Sequence, residues 1–123
     1  MPESRETVKL FPATERDIIE FTGERPKKTV RAFVAKVGNR IVGIGGFTYY
    51  DTQAVAFLNV SEEGRKYPVS MIKLCKKMIA EFKGPYLLCA IRDKDEPNSA
   101  KFLERIGFKF SQEHQGQEIF RWL

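Results

Sequence analysis

His114 is the only histidine in the chain, and an imidazole serves as base or as a nucleophile's partner only when a second reactive group stands beside it. It lies in the polar stretch Ser111 to Gly116, with no nucleophile or metal-ligating cluster around it in the sequence. Cys75 and Cys89 fall inside apolar stretches without ligand spacing, which fits buried thiols in a reducing compartment better than a bridge. Gly43, Gly45 and Gly46 have the flexibility of a phosphate loop. They sit within a strand-like stretch that enters no helix, however, so close backbone packing is what they support. What remains is charge. Lys and Arg number 21 against 16 Asp and Glu, a formal net charge of +5, and such a surplus favours an anionic partner, phosphates first. The basic residues gather as Arg25, Lys27 and Lys28; as Arg65 and Lys66; and as Lys73, Lys76 and Lys77 with Lys83.

Periodicity and punctuation outline the elements that must position these groups. Thr7 to Phe11 alternates as a first strand, and Pro12 leads into a short helix beginning at Thr14. The Thr14 hydroxyl can accept a free first-turn N–H, and Glu15 and Asp17 suit the positive end of the helix dipole. Ile18, Ile19 and Phe21 form its apolar face, Gly23 ends it, and the segment to Lys28, with Pro26, is a loop. Thr29 to Val37 and Arg40 to Tyr50, joined at Gly38-Asn39, predict a hairpin, and Gln53 to Val60 adds a third strand to a meander. From Pro68, the residues Val69, Ile72, Cys75, Ile79 and Phe82 recur at helical spacing up to a stop near Gly84. After Pro85 and Tyr86, Leu87 to Ile91 is a continuous apolar run, expected as a central strand buried on both faces. Pro97 opens a last helix carrying Phe102, Leu103 and Ile106, which Gly107 stops. Phe108 to Phe110 and Gln117 to Trp122 close the chain as strands around the Ser111 to Gly116 connection, with Phe120, Trp122 and Leu123 expected to pack inward.

A chain of 123 residues, 42% hydrophobic and 12% aromatic, fits one domain that folds around its own core. No run approaches the roughly 18 apolar residues of a membrane span, and Met1 to Glu6 is polar and charged, which leads us to expect a soluble, cytoplasmic protein with no membrane partner. No nucleic-acid motif is present, and the aromatics are better placed in a core than as base-stacking platforms, which argues against a nucleic-acid partner. A meander followed by a strand-helix-strand crossover predicts a mixed α/β (α+β) sheet with helices packed on it.

This order resembles that of the GNAT acyltransferases, and Asn98-Ser-Ala-Lys-Phe-Leu-Glu-Arg-Ile-Gly-Phe108 resembles their penultimate-helix signature. Pro12-Ala-Thr14 with Asp17, Arg31-Ala-Phe-Val-Ala35 and Ile41-Val-Gly-Ile-Gly-Gly46 are similar to segments of small bacteriophage-encoded GNAT-like proteins. Over nearly the whole chain, the resemblance implies the acyl-CoA N-acyltransferase fold, a central sheet of about six to seven strands flanked by about three helices. It further implies acetyl-CoA as cosubstrate and an amine as acceptor. The host cytoplasm or a virion would be the location, and a homodimer or a phage structural protein an additional partner.

The family's cofactor cleft opens between the strand ending at Val60 and the strand beginning at Tyr86, and its pyrophosphate loop matches Arg65-Lys-Tyr-Pro-Val-Ser70. The resemblance therefore implies cofactor contacts from Leu58, Val60, Arg65, Lys66, Tyr67, Val69, Ser70, Met71, Asn98, Ser99 and Phe102. The amides of Val69, Ser70 and Met71 are expected to point at phosphate from a helix N-terminus. Pro68 stands where the family has a glycine, which fixes φ and removes one further backbone donor from the loop. Leu103 stands where a tyrosine often protonates the departing thiolate, so that task passes to water, Tyr67 or Ser99. Glu96 occupies the position of the asparagine that commonly opens the helix, with Asn98 two residues later. Glu62, and beside it Glu63, stands near the expected reaction centre as a candidate base. Pro68 and Leu103 together favour the alternative of a catalytically inactive GNAT-fold structural or virion-associated module.

Overall fold

The computed structural model describes residues 8–25, 30–82 and 86–122. Thr7, Pro26, Lys27, Lys28, Thr29, Lys83, Gly84, Pro85 and Leu123, used in the reading above, lie outside them, as does the opening Met1 to Glu6. Strand β1 is Val8–Pro12 and helix α1 is Glu15–Thr22. The meander is β2 Val30–Val37, β3 Arg40–Tyr49 and β4 Gln53–Val60. A 3-10 turn at Gly64–Lys66 leads to α2 Pro68–Ala80, then β5 Leu87–Ile91, α3 Ser99–Ile106, β6 Phe108–His114 and β7 Gln117–Trp122. The strands form one seven-stranded sheet in the order β1-β2-β3-β4-β5-β7-β6. Of the neighbouring pairs, β4 with β5 is parallel and the others are antiparallel.

Local chemistry sets several element ends. Thr14 Oγ1 accepts the Asp17 N–H at 3.1 Å while Asp17 Oδ2 accepts the Thr14 N–H at 2.9 Å, a reciprocal cap on α1. Those bonds hold the Asp17 carboxyl below its ordinary range. Gly23, at φ 82, closes the same helix in the left-handed region. Pro68 takes the first position of α2, where a missing N–H leaves no helical bond unmade.

Other boundaries depart from the sequence reading. Helix α2 stops at Ala80, so Phe82 lies beyond it and joins an aromatic group with Phe47 and Tyr49, at centroid separations of 4.9 and 6.3 Å. Helix α2 buries Met71, Cys75, Met78 and Ile79 and leaves Val69 54% exposed, so the core stripe is rotated from the expected one towards the methionines. Helix α3 begins at Ser99 rather than Pro97, and β6 runs on to His114, so the expected loop shrinks to a turn at Gln115-Gly116. Strand β5 is interior to the sheet and buried on both faces only at its centre: Leu88, Cys89 and Ala90 are buried, whereas Leu87 and Ile91 at its ends are exposed. Phe120 packs inward as expected, while Trp122 is 39% exposed, its ring set edge-on to Phe108.

Helices α2 and α3 share one core with the sheet, where Cys75, Met78, Ile79 and Ile106 meet Phe33, Phe47, Ala54, Leu88, Phe108 and Phe120. The glycines of β3 make this approach possible. A Cβ on Gly45 would lie 3.3 Å from the Met78 sulfur, so α2 sits directly on the backbone there. On Gly46 a Cβ would meet the Arg31 carbonyl oxygen at 2.1 Å, whereas on Gly43 its nearest neighbour lies at an ordinary 3.5 Å. Gly46→Ala is accordingly expected to lose at least about 1–3 kcal/mol. Gly43→Ala should be neutral or gain up to about 1 kcal/mol, a contrast that urea denaturation of both variants would read.

Candidate active site

Strands β4 and β5 run together for only part of their length. Their rungs extend from Gln53/Leu87 to Ala56/Ala90 and end there, whereas β4 stays paired with β3 as far as Val60/Gly43. Successive residues of a strand direct their N–H and C=O to opposite edges. The Tyr50 N–H to Gln53 O and Ser61 N–H to Val42 O bonds assign Gln53, Ser61 and the alternate residues between them to β3. Leu58 and Val60 therefore turn their main-chain groups towards the β5 side, past the last rung, and among the described residues no strand pairs with them there.

Two anchors hold the strands apart. At the end of β5 the Arg92 N–H donates to Glu118 O on β7, and the Arg92 guanidinium meets Glu118 Oε2 at 2.7 Å and Ser99 Oγ at 3.1 Å. Ser99 Oγ in turn donates to Asp93 O at 2.7 Å, which ties the start of α3 to this turn. At the end of β4, Ser61 Oγ donates to Val42 O and accepts the Gly64 N–H, both at 3.1 Å. That turn hugs β3 so closely that a Cβ on Gly64 would lie 2.2 Å from the Val42 oxygen.

The gap between the strands is a cavity of about 420 Å³. Its walls are apolar: Leu58 and Val60 of β4, Met71, Cys75 and Met78 of α2, and Phe102, Leu103 and Ile106 of α3. Asn59, Arg65, Asp93, Glu96, Asn98 and Ser99 bring polar groups to it. Arg65 Nη2 stands 2.5 Å from Glu96 Oε1, an ion pair between the loop after β4 and the loop before α3. Burial pushes the Cys75 thiol up to about 12.

Of the residues expected to hold cofactor, Leu58, Val60, Arg65, Met71, Asn98, Ser99 and Phe102 do line this cavity. Lys66, Tyr67, Val69 and Ser70 are not among its lining residues, and neither is Glu62. Tyr67 is 3% exposed and packs with Val8, Val37, Val42 and Met71 in a second core cluster, so its ring spends itself on packing. Glu63 turns away to Arg40, whose Nη2 lies 2.7 Å from Glu63 Oε2, and this hydrogen-bonded guanidinium holds the carboxyl below its usual range. The expected set of amides is also smaller: the Met71 N–H donates to Tyr67 O at 2.9 Å, because Tyr67 and not Pro68 is the capping residue.

His114, Gln112, Gln53, Cys89 and Arg121 share a second cavity, of about 380 Å³, apart from the first. Among the described residues no His, Cys, Asp and Glu cluster could hold a metal, and no helix is long and apolar enough to cross a membrane. Sequence reasoning passed over Asn59, Asp93 and the pairing of Glu96. The signal for Glu96 was its place in the helix-opening position, but nothing in the sequence shows that Arg65 lies opposite.

No protein-family model and no curated protein matches the chain in sequence. Solved structures do match its fold. An acetyltransferase from Thermus thermophilus superposes with a TM-score of 0.67 at 18% identity, over 94% of this chain and 96% of its own. A GNAT family acetyltransferase from Elizabethkingia anophelis with acetyl-CoA bound gives 0.65 at 13% identity, over 94% and 97%. The spermidine N-acetyltransferase from Vibrio cholerae, in a dodecameric structure, gives 0.64 at 10%, over 93% and 91%. The seven-stranded mixed sheet with its three helices is thus the GNAT acyl-CoA N-acyltransferase fold.

Cys75 offers a direct check on the cavity wall. With the thiol at about 12 instead of 9.0, its thiolate at pH 8 is about a thousandfold scarcer than that of an ordinary cysteine. Iodoacetamide should therefore label Cys75 in the native protein slower than in urea by at least that factor, as peptide mass spectrometry would show.

Proposed function

We propose that this GNAT-fold chain is an acyl-CoA-dependent N-acetyltransferase that moves an acetyl group from acetyl-CoA to an amine. The observation that carries the reading is the parted edge of β4, where Leu58 and Val60 present main-chain groups to an apolar cavity instead of to β5. An extended chain of amides and methylenes suits such a gap, since it can pair with the exposed backbone as a missing strand does. The residues present fit the pantetheine arm on these grounds, and Arg65 supplies positive charge for a diphosphate. Acetyl-CoA brings a thioester carbonyl, activated towards attack by an amine nitrogen.

The chain's own residues would then divide the work. Leu58 and Val60 orient the donor through their backbone groups, and Met78, Phe102 and Leu103 exclude water around the reacting atoms. Among the described carboxylates lining the cavity, Glu96 is paired with Arg65, and Asp93, whose Oδ1 accepts the Asp95 N–H, is the one assigned to accept the amine proton. Neither Tyr67 nor Glu62 lines the cavity, so neither is assigned a part in the chemistry. The GNAT neighbours act in acetyl transfer, and that of Vibrio cholerae on spermidine. The acceptor of this chain is proposed only as an amine.

A second reading, a binding module without turnover of the phage or virion-associated kind, is favoured by the hydrocarbon wall at Leu103, where the resemblance implies a phenol. Calorimetric titration with acetyl-CoA separates the fold's use from its disuse. Binding is expected, and Arg65→Ala should weaken it about tenfold through the lost charge-assisted contact. No heat at millimolar acetyl-CoA would overturn the proposal. If binding is seen, thiol release with a panel of amines distinguishes the two readings. A low rate raised by Leu103→Tyr by about tenfold or more is the result expected of an active site lacking its proton donor.

A further inference from the structure

We propose that Glu96 sets the affinity of the cleft for its anionic donor by occupying Arg65 until a diphosphate displaces it. The inference rests on the acyl-CoA reading and concerns how the same site is regulated. Among the described residues lining the cavity, Arg65 is the one cation, whereas Asp93 and Glu96 are both anionic. With Arg65 Nη2 at 2.5 Å from Glu96 Oε1, the charge that ought to attract phosphate is already neutralised, and the remaining lining charge is negative.

The pair belongs to the architecture of the loops. On one side the Arg65 N–H donates to Ser61 O and the Gly64 N–H to Ser61 Oγ, so the backbone carrying Arg65 is pinned to the end of β4. On the other side the Glu96 N–H donates to Asp93 O, the Asp95 N–H to Asp93 Oδ1 and the Ser99 N–H to Glu96 O, which folds the loop into a braced turn. Arg92, held by Glu118 and Ser99, fixes the root of that turn. The carboxylate and the guanidinium are thus carried by two loops whose backbones are hydrogen-bonded in place. Both groups are nonetheless solvent-exposed, at 61% and 41%, so the pair is weak enough to exchange for a dianionic ligand.

Phosphate competes for the same guanidinium because carboxylate and phosphate oxygens both match its donor fork. The scarcity of other donors makes the competition matter. Pro68 has no amide and Met71 has spent its own on Tyr67, so Arg65 carries more of the anion binding than a full ring of amides would leave to it.

The test is a calorimetric titration of wild type, Glu96→Gln, Arg65→Ala and the double variant, each with inorganic pyrophosphate and with acetyl-CoA. Glu96→Gln should tighten binding of both probes about three- to tenfold, because it frees Arg65 and removes a repulsive charge. In the Arg65→Ala background the same substitution should give less than half of that gain, which marks an effect exerted through the guanidinium. The proposal is overturned if Glu96→Gln leaves the pyrophosphate affinity unchanged or weaker, if the full gain persists without Arg65, or if no variant binds pyrophosphate at all. A gain for pyrophosphate with no binding of acetyl-CoA by any variant would uphold the role of Glu96 and defeat the acyl-transfer reading alone.

Discussion

A parallel strand pair left to itself goes on adding rungs, because each rung omitted where water is scarce leaves an amide or carbonyl without a partner at a cost of about 1–3 kcal/mol. Strands β4 and β5 stop at Ala56/Ala90, although β4 continues to Val60. Their separation is enforced from both sides: the Arg92 contacts draw the end of β5 towards β7, and the Ser61 and Gly64 contacts bind the end of β4 to β3. The unmade rungs open onto the cavity, whose apolar walls and polar lining groups follow from that divergence.

The helices convert the divergence into an enclosed space. Helix α2 lies close against β3 at Gly45, which brings no side chain to meet Met78. Unbranched methionines then fill the irregular space between helix and parted sheet, a task for which their flexible thioethers are well suited. Helix α3 supplies the facing wall through Phe102, Leu103 and Ile106. Cys75 lies within the same lining, and burial drives its thiol up to about 12.

Charge is distributed differently from hydrophobicity in this molecule. The sequence carries a net +5, whereas among the described residues the cavity lining holds one cation, Arg65, and two carboxylates, Asp93 and Glu96. Arg40, Arg92 and Arg65 each carry a carboxylate partner of their own.

The sequence by itself determined the meander, the capped helix at Thr14, the long helix entered at Pro68 and the order of elements. These depend on alternation, helical spacing, proline and glycine, which act between neighbours in the chain. Gln53–Val60 and Leu87–Ile91 match in full for that reason. Leu58, Val60 and Arg65 do line the cavity, where the resemblance implied a cleft. Only the tertiary structure decided that Tyr67 turns into the core, that Glu63 belongs to Arg40, and that β6 extends through Ser111 to His114 by pairing with β7. It alone set Glu96 against Arg65, thirty-one positions apart along the chain by their numbering. Local rules report what a residue prefers. Which of its preferences is honoured depends on partners that the fold brings up from distant segments, and those partners leave no periodic mark on the sequence.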